Sequence, residues 1–258
     1  MKAAEQKEIL KLLDGERQTL ICPGTRHISE MGLVRDLSDD GQTSNILYSC
    51  CPEHELDLII HQQIELARHQ RYELEWKWYE HDRPACLAER LTAAGLVAGE
   101  REAFMVLSAT EKTLEGFGIG RGDIRRVTTR EALRDVQLIS EEVYGKSYEN
   151  RIKQWEAMLE KDPKSMSIYV AYVDGEPAAT GRVCFLEGSQ FAGLYGGQTR
   201  ERFRKRGLFT HLVAVRIREA LSRGIASLCV DALPTSEPIL RKHGFETVTY
   251  TRPFCLSV

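Results

Sequence analysis

A short basic segment, Arg204-Lys205-Arg206-Gly207, stands between a strand-like run that ends at Thr199 and a helix-like run that begins at Leu208. A helix start carries unpaired N–H groups and a partial positive charge, so it is suited to binding an anion. Gly207 allows the main chain to approach a bulky anion closely, and the basic side chains add countercharge. The order predicts a pyrophosphate site, against the alternative of a solvated basic turn that happens to precede a helix.

The elements that must position this segment are predicted from the pattern after residue 120. A strand at Ile124–Thr128 is followed by a capping-box pattern at Thr128 and Glu131 and by apolar residues at helical spacing. Asp174-Gly175 between two β-rich runs indicates a hairpin. The further elements, in order, are a helix over 150–161, a strand over 190–199, a helix from 208, a strand over 226–230, a helix over 236–243 and a strand over 245–250.

The first half of the chain predicts a similar succession. Residues 45–108 and residues 190–250 both run strand, helix, strand, helix, strand, which suggests a weak internal duplication. Any α/β chain can show this order by chance, so both interpretations stay open. Residues 110–123 form the expected linker. Their four alternating glycines, from Gly116 to Gly122, precede a strand rather than a helix, which favours a linker over a dinucleotide loop.

Composition excludes several classes of protein. The 258 residues are 42% hydrophobic and 28% charged with a net charge of -3, which is ordinary for a globular protein and favours neither nucleic acid nor a membrane as partner. No apolar run approaches the ~20 residues that span a bilayer, and the charged N-terminus does not resemble a signal peptide. The seven cysteines lack metal-site spacing, so we expect no metal and a reducing, cytoplasmic location.

The basic segment resembles the signature Q/R-x-x-G-x-G/A of the GNAT acetyltransferases, with Arg204 first and Gly207 fourth. The family's downstream order of helix, strand and short helix ending in Gly-Phe is matched here by Gly244-Phe245. The resemblance covers about residues 124–250. It implies an α/β (α+β) fold with a mixed, mostly antiparallel sheet flanked by helices, and the succession in the first half suggests tandem GNAT-like lobes. The implied division is an N-terminal lobe at 1–109, a linker at 110–123 and a GNAT domain at 124–258.

The resemblance also implies a cofactor site for acetyl-CoA. The main chain of Gly197, Gln198 and Thr199 would pair with the pantetheine arm, because the family's strand at this point splays from its neighbour. The pyrophosphate would be held by the segment itself, with Ser236 near the thiol end of the cofactor. The predicted cofactor-binding residues of the segment are Arg204, Lys205, Arg206, Gly207, Leu208 and Phe209.

Two positions depart from the family pattern. Phe209 replaces the sixth-position Gly or Ala, where its ring could crowd the phosphates. Leu240 stands where the family often has a tyrosine that protonates the leaving thiolate, so another group, or water, must do so, or catalysis is impaired. Tyr195, on the cofactor strand, is a candidate acid, although a strand tyrosine more often serves packing.

A carboxylate must take the proton of the attacking amine, and Glu187 and Asp231 are the candidates for this catalytic base. Both also have ordinary interpretations, as a solvated loop charge and as a cap. The predicted reaction is acetyl transfer to a small-molecule amine. A non-catalytic acyl-CoA-binding regulator and a protein or peptide amine acetyltransferase are the alternatives.

The first lobe lacks the features of the basic segment. Its corresponding stretch, residues 49–54, reads Ser-Cys-Cys-Pro-Glu-His, with no glycine and no basic cluster. We therefore expect this lobe not to bind CoA. It is a candidate to cover the acceptor site, to extend the sheet or to support a homodimer.

Overall fold

The computed structural model describes residues 1–118 and 122–256, and these fall into two compact units. Unit 1 comprises Met1–Met105, Asp231–Glu237 and the last segment from Glu246, while unit 2 comprises Val106–Val230 and Pro238–Phe245. These bounds differ from the predicted ones, because the closing segment of the chain packs with unit 1. Whether the units are two lobes of common origin stays a prediction.

Unit 1 is a sheet with helices against it. Its strand order is β1-β2-β3-β4-β12-β6, with β5 paired to β12. Neighbours β3 and β4 run parallel, while β1 with β2, β2 with β3, and β4 with β12 run antiparallel. The elements are α1 (Ala3–Thr19), β1 (Thr25–Glu30), β2 (Leu33–Ser38), β3 (Thr43–Ser49), α2 (Leu56–Gln70), β4 (Glu73–Tyr79), α3 (Leu87–Ala93), β5 (Val97–Ala98), β6 (Glu102–Ser108) and β12 (Glu246–Leu256).

The core of unit 1 follows from apolar spacing. Helix α2 buries Ile59, Ile60, Ile64 and Ala67 on one face, as the 3.6-residue period requires. These side chains pack in one cluster with Trp76 of β4. The ribbon of β1 and β2 was not predicted, because no residue of β1 is buried and its sequence has no apolar period.

Unit 2 has the strand order β11-β10-β9-β8-β7. Strands β10 and β11 run parallel, and the other neighbours run antiparallel. The elements are α4 (Glu111–Glu115), β7 (Asp123–Arg126), α5 (Arg130–Tyr144), α6 (Glu149–Lys161), β8 (Met166–Val173), β9 (Glu176–Phe185), β10 (Ala192–Thr199), α7 (Leu208–Ser222), β11 (Ser227–Ala232) and α8 (Glu237–Lys242), of which β11 and α8 end or begin in unit 1.

Turn residues and helix caps in the sequence explain where most elements of unit 2 begin and end. The hairpin of β8 and β9 turns at Asp174 and Gly175, whose φ angles of 51° and 81° are both left-handed, as a type I′ turn requires. Helix α5 is capped by Thr129, whose hydroxyl accepts from the N–H of Ala132 at 3.3 Å, so the capping box predicted from Thr128 was one residue early. The predicted mixed, mostly antiparallel sheet with flanking helices is confirmed.

The described part of the predicted linker is packed. Residues 111–115 form α4, and Leu114 and Phe117 are both 4% exposed. The ring of Phe117 stacks on His243 of the same unit, with 4.4 Å between centroids. Residues 119–121, and with them Gly120 of the alternating glycines, lie outside the described residues.

Candidate functional site

Strand β10 carries a β-bulge where the family resemblance places the pantetheine. Tyr195 pairs with Arg182 and Gln198 pairs with Thr180, so Gly196 and Gly197 together lie opposite one residue of β9. Gly196 has a φ of 58°, in the left-handed region that a glycine adopts at no steric cost. A bulge of this kind bends its strand and increases the local twist.

The bulge coincides with the end of pairing between β10 and β11. The parallel ladder joins Ala192 to Leu228 and Gly193 to Cys229, and within the described residues it goes no further, although β10 continues to Thr199. In the part of the chain that the structure describes, the main chain from Gly196 to Thr199 therefore has no strand partner on the side of β11. An edge of unpaired N–H and C=O groups is a template for an extended ligand.

The segment after β10 contains a row of amides without backbone acceptors among the described residues. Lys205 and Gly207 both have left-handed φ angles, of 62° and 76°, and Gly207 is the N-cap residue of α7. Among the described residues, the N–H groups of Lys205–Thr210 have no backbone acceptor, while the N–H of His211 bonds to the Gly207 carbonyl at 3.0 Å. Successive free amides at a helix N-terminus form an anion-binding concavity.

The basic side chains of the segment are exposed, and one of them is tied to the strand. The Nε of Arg204 donates to the carbonyl of Thr199 at 3.3 Å, which closes the turn. Lys205 is exposed, and Arg206, also exposed, lies with its guanidinium 5.6 Å from the ring centroid of Phe203. These two cations remain available to an anion.

Phe209 packs against Gly197 of the strand. A Cβ built at Gly197 would lie 2.9 Å from Cε2 of Phe209, so the ring rests on the glycine. The ring is partly exposed. The residue that departs from the family signature is thus accommodated by the absence of a side chain at Gly197.

Arg216 of α7 is a buried cation behind the bulge. It is 2% exposed, and its Nη1 donates to the carbonyls of Arg182 at 3.1 Å and Tyr195 at 3.4 Å, while Nε donates to Leu212 at 2.9 Å. Burial, followed by the charge of Arg182, lowers its pKa to about 10, so it is protonated at neutral pH. Its bond to Tyr195 satisfies a carbonyl at the residue where the bulge begins.

Glu187 and Asp231, the two predicted bases, lie in different surroundings. Glu187 is exposed in the turn after β9. Asp231 lies at the end of β11 in unit 1, with Oδ2 3.1 Å from Nζ of Lys77 and with a buried Oδ1 that has no hydrogen-bond partner among the described residues. Lys77 Nζ also donates to Glu102 Oε2 at 2.6 Å.

Burial and the neighbouring charges shift the pKa values of Lys77 and Glu102. Burial favours neutral Lys77, but the carboxylates of Asp231 and Glu102, with Tyr79, raise its pKa above the ordinary value, so it stays an ammonium. Burial raises the pKa of Glu102, with the charges of Asp231 and Glu75 acting in the same direction and Lys77 against it. Two carboxylates thus share one cation.

Ser236 and Leu240 occupy the region of α8. Ser236 is partly exposed just before the helix, and its hydroxyl donates to the carbonyl of Leu233 at 3.1 Å. Leu240 is 1% exposed and packs in the core, so the position of the family's tyrosine carries no acid here.

One group of side chains among the described residues has enough ligand atoms close together to hold a metal ion, and it consists of Asp14, His81 and Asp82. Arg17 already bonds to both carboxylates of this group.

The family model for the acetyltransferase (GNAT) family matches residues 129–245, which include β10, the basic segment and α7. Residues 129–245 form a GNAT acetyltransferase domain. Because the members of this family transfer acyl groups, the GNAT domain is an acyltransferase. No curated protein matches the sequence at a significant level.

Solved structures resemble the chain over nearly its whole length. One is a conserved protein of unknown function from Staphylococcus epidermidis, at 17% identity and a TM-score of 0.69, covering 92% of this chain and 96% of the other. A GCN5-related N-acetyltransferase from Kribbella flavida has 16% identity and a TM-score of 0.65, with 98% and 94% covered. A tandem GNAT protein from the clavulanic acid biosynthesis pathway has 15% identity and a TM-score of 0.62, with 99% and 95% covered. At these identities the likeness shows the fold.

Within the described residues, none of the helices combines the length and the apolar composition that crossing a bilayer requires.

Proposed function

We propose that the GNAT domain transfers the acetyl group of acetyl-CoA to the amine of a small molecule. That the domain transfers an acyl group follows from its family. The identity of the donor as acetyl-CoA and of the acceptor as a small-molecule amine is what we propose. The observation that carries it is the row of free amides at Lys205–Thr210, directly after a strand edge that has lost its partner. A diphosphate joined to an extended amide-bearing arm fits both features.

Different residues would contact the pantetheine arm, the diphosphate and the thiol end of acetyl-CoA. The main chain of Gly197, Gln198 and Thr199 would pair with the pantetheine arm, and Gln198, 5% exposed, offers little besides its main chain. The amides of Lys205–Phe209 would bind the diphosphate, with Lys205 and Arg206 as countercharge. Ser236 as a contact near the thiol stays a prediction.

Acetyl-CoA supplies an activated acyl carbon, and the chain supplies polarisation and proton transfer. A backbone N–H on β10, held by the bulge, would stabilise negative charge on the acyl oxygen. Glu187 or Asp231 would accept the proton of the amine. Because Leu240 carries no acid, the thiolate must take its proton from water or from another side chain, for which Tyr195, 39% exposed, is the candidate.

The test is to introduce a negative charge into the amide row. Gly207→Asp places a carboxylate where the diphosphate would lie, and we expect isothermal titration calorimetry to detect no acetyl-CoA binding. Gly224→Asp is the matched control, because Gly224 lies at the other end of α7. Its φ is 77°, against 76° at Gly207. No heavy atom of the described residues lies within 4 Å of a Cβ added at Gly224. This control carries the same substitution at nearly the same φ.

The control should bind acetyl-CoA within about twofold of the wild type, and urea unfolding should show both variants folded. Unchanged affinity in Gly207→Asp would contradict the diphosphate site. Acetyl-CoA should also release free thiol when small amines are present. Tight binding without thiol release from any amine would instead favour the non-catalytic regulator.

A further inference from the structure

The guanidinium of Arg182 on β9 lies close to two aromatic rings. Its Cζ lies 4.6 Å from the ring centroid of Trp155 on α6 and 5.5 Å from that of Tyr195, its cross-strand partner on β10. Cation–π contacts with both rings hold the guanidinium near this part of the strand.

This guanidinium has no carboxylate partner among the described residues. Its side-chain hydrogen bond is to the thiol of Cys184, whose pKa is raised by burial against the lowering effect of Arg182. Other arginines of unit 2 bond to acids, as Arg200 does to Glu142. Arg182 is only partly exposed, so water does not fully solvate it, and a cation in this situation favours an anionic ligand.

The strand next to Arg182 is shaped around it. A Cβ on Gly196 would lie 2.6 Å from its Nη1, so only a glycine at this position leaves room for the guanidinium at the bulge. In the same way, a Cβ on Gly181 would lie 2.9 Å from Cζ of Arg216, which approaches β9 from α7. The absence of side chains at Gly196 and Gly181 thus leaves room for Arg182 and Arg216 in one short stretch of the sheet.

The two arginines leave a surplus of positive charge. Gly181 and Arg182 are consecutive in the strand, so Arg216 and Arg182 approach the sheet from opposite faces. Arg216 bonds to three main-chain carbonyls and, among the described residues, to no carboxylate. After burial, the charge of Arg182 is the next cause that lowers the pKa of Arg216, because two like charges repel each other.

We propose that Arg182 binds a carboxylate of the acceptor, so that the substrate is an amine that also carries a carboxylate group. The proposal rests on the proposed acetyl transfer for its context, because Arg182 pairs with Tyr195 on the strand that would hold the thioester. A carboxylate accepts two parallel N–H bonds from a guanidinium, a geometry that a neutral carboxamide does not match.

The test compares acceptors that differ only in this charge. A series of α-amino acids and the corresponding α-carboxamides is assayed by thiol release from acetyl-CoA, and kcat/KM of each acid is divided by that of its amide. We expect the wild type to prefer at least one acid tenfold or more. Arg182→Met should reduce this preference at least tenfold, mainly through KM, and Arg182→Lys should restore part of it.

Arg218→Met is the control, because Arg218 is an exposed arginine of α7 and its loss should leave the preference intact. Equal use of acid and amide by the wild type, or a preference that survives in Arg182→Met, would overturn the proposal while acetyl transfer stands.

Calorimetric titration with the same acids and amides, in the presence of CoA, separates the two proposals. Binding of an acid that Arg182→Met weakens tenfold, without thiol release from any acceptor, would support the subsite and contradict acetyl transfer. Equal binding of acid and amide would overturn the subsite.

Discussion

Two of the residues that organise the GNAT domain, Arg216 and Arg182, give no signal in the sequence. Arg216 interrupts the apolar stripe of α7, where a charged residue normally faces solvent, and Arg182 lies in a strand most of whose other residues are apolar. Their roles depend on glycines in neighbouring strands, Gly181 and Gly196, and such pairs become visible only when the register is known. The basic segment could be predicted because its parts are consecutive in the chain.

Lys77 and Glu102 were also missed, because they are distant in sequence from Asp231. Together they permit a sharp test of the predicted base. Asp231→Asn removes both the candidate base and one partner of Lys77, whereas Glu102→Gln removes only a partner of Lys77. We expect Asp231→Asn to lower kcat by about 100-fold or more, as loss of a general base does, and Glu102→Gln by less than tenfold.

Steady-state thiol release, with circular dichroism to verify folding, checks this expectation. Losses of equal size in the two variants would mean that Asp231 serves only to balance the charge of Lys77. Glu187→Gln, assayed alongside, tests the other candidate, whose exposed side chain makes a structural contribution small.

At the scale of elements, the sequence predicts what is local. The hairpin, β10, α7 and α8 follow from turn residues and apolar periods, and they recur in the structure with small shifts of their ends. The β1–β2 ribbon and the bulge in β10 could not be predicted. The first has a polar strand, and the second depends on the pairing of β10 with β9.

The contact of α7 with β10 gives a prediction about how the two elements fit. Gly197→Ala places a methyl group 2.9 Å from Cε2 of Phe209, so the ring must move. We expect this overpacking to lower the free energy of unfolding by about 1–3 kcal/mol. In a Phe209→Ala background the methyl group has room, and the same substitution should cost less than about 0.5 kcal/mol.

Urea unfolding of the wild type, both single variants and the double variant gives the coupling free energy. Additive effects would show that Phe209 does not rest on Gly197, and its ring would then be free to crowd the amide row.

At the scale of the whole molecule, both units contain a strand, a helix and a second strand parallel to the first. In unit 1 these are β3, α2 and β4, and in unit 2 they are β10, α7 and β11. The chemistry of the two connections differs. Pro52 has no N–H, and Glu53, Glu55 and Asp57 place negative charge at the start of α2, where it repels a phosphate. We therefore expect one CoA site, in unit 2.

The most direct measurement follows the backbone amides themselves. In a ¹⁵N-resolved NMR titration of the full chain with acetyl-CoA, we expect the largest shifts at Lys205–Phe209 and no significant shifts at Glu53–Leu56. Saturable binding of acetyl-CoA that leaves the amides of Lys205–Phe209 unchanged would contradict the account.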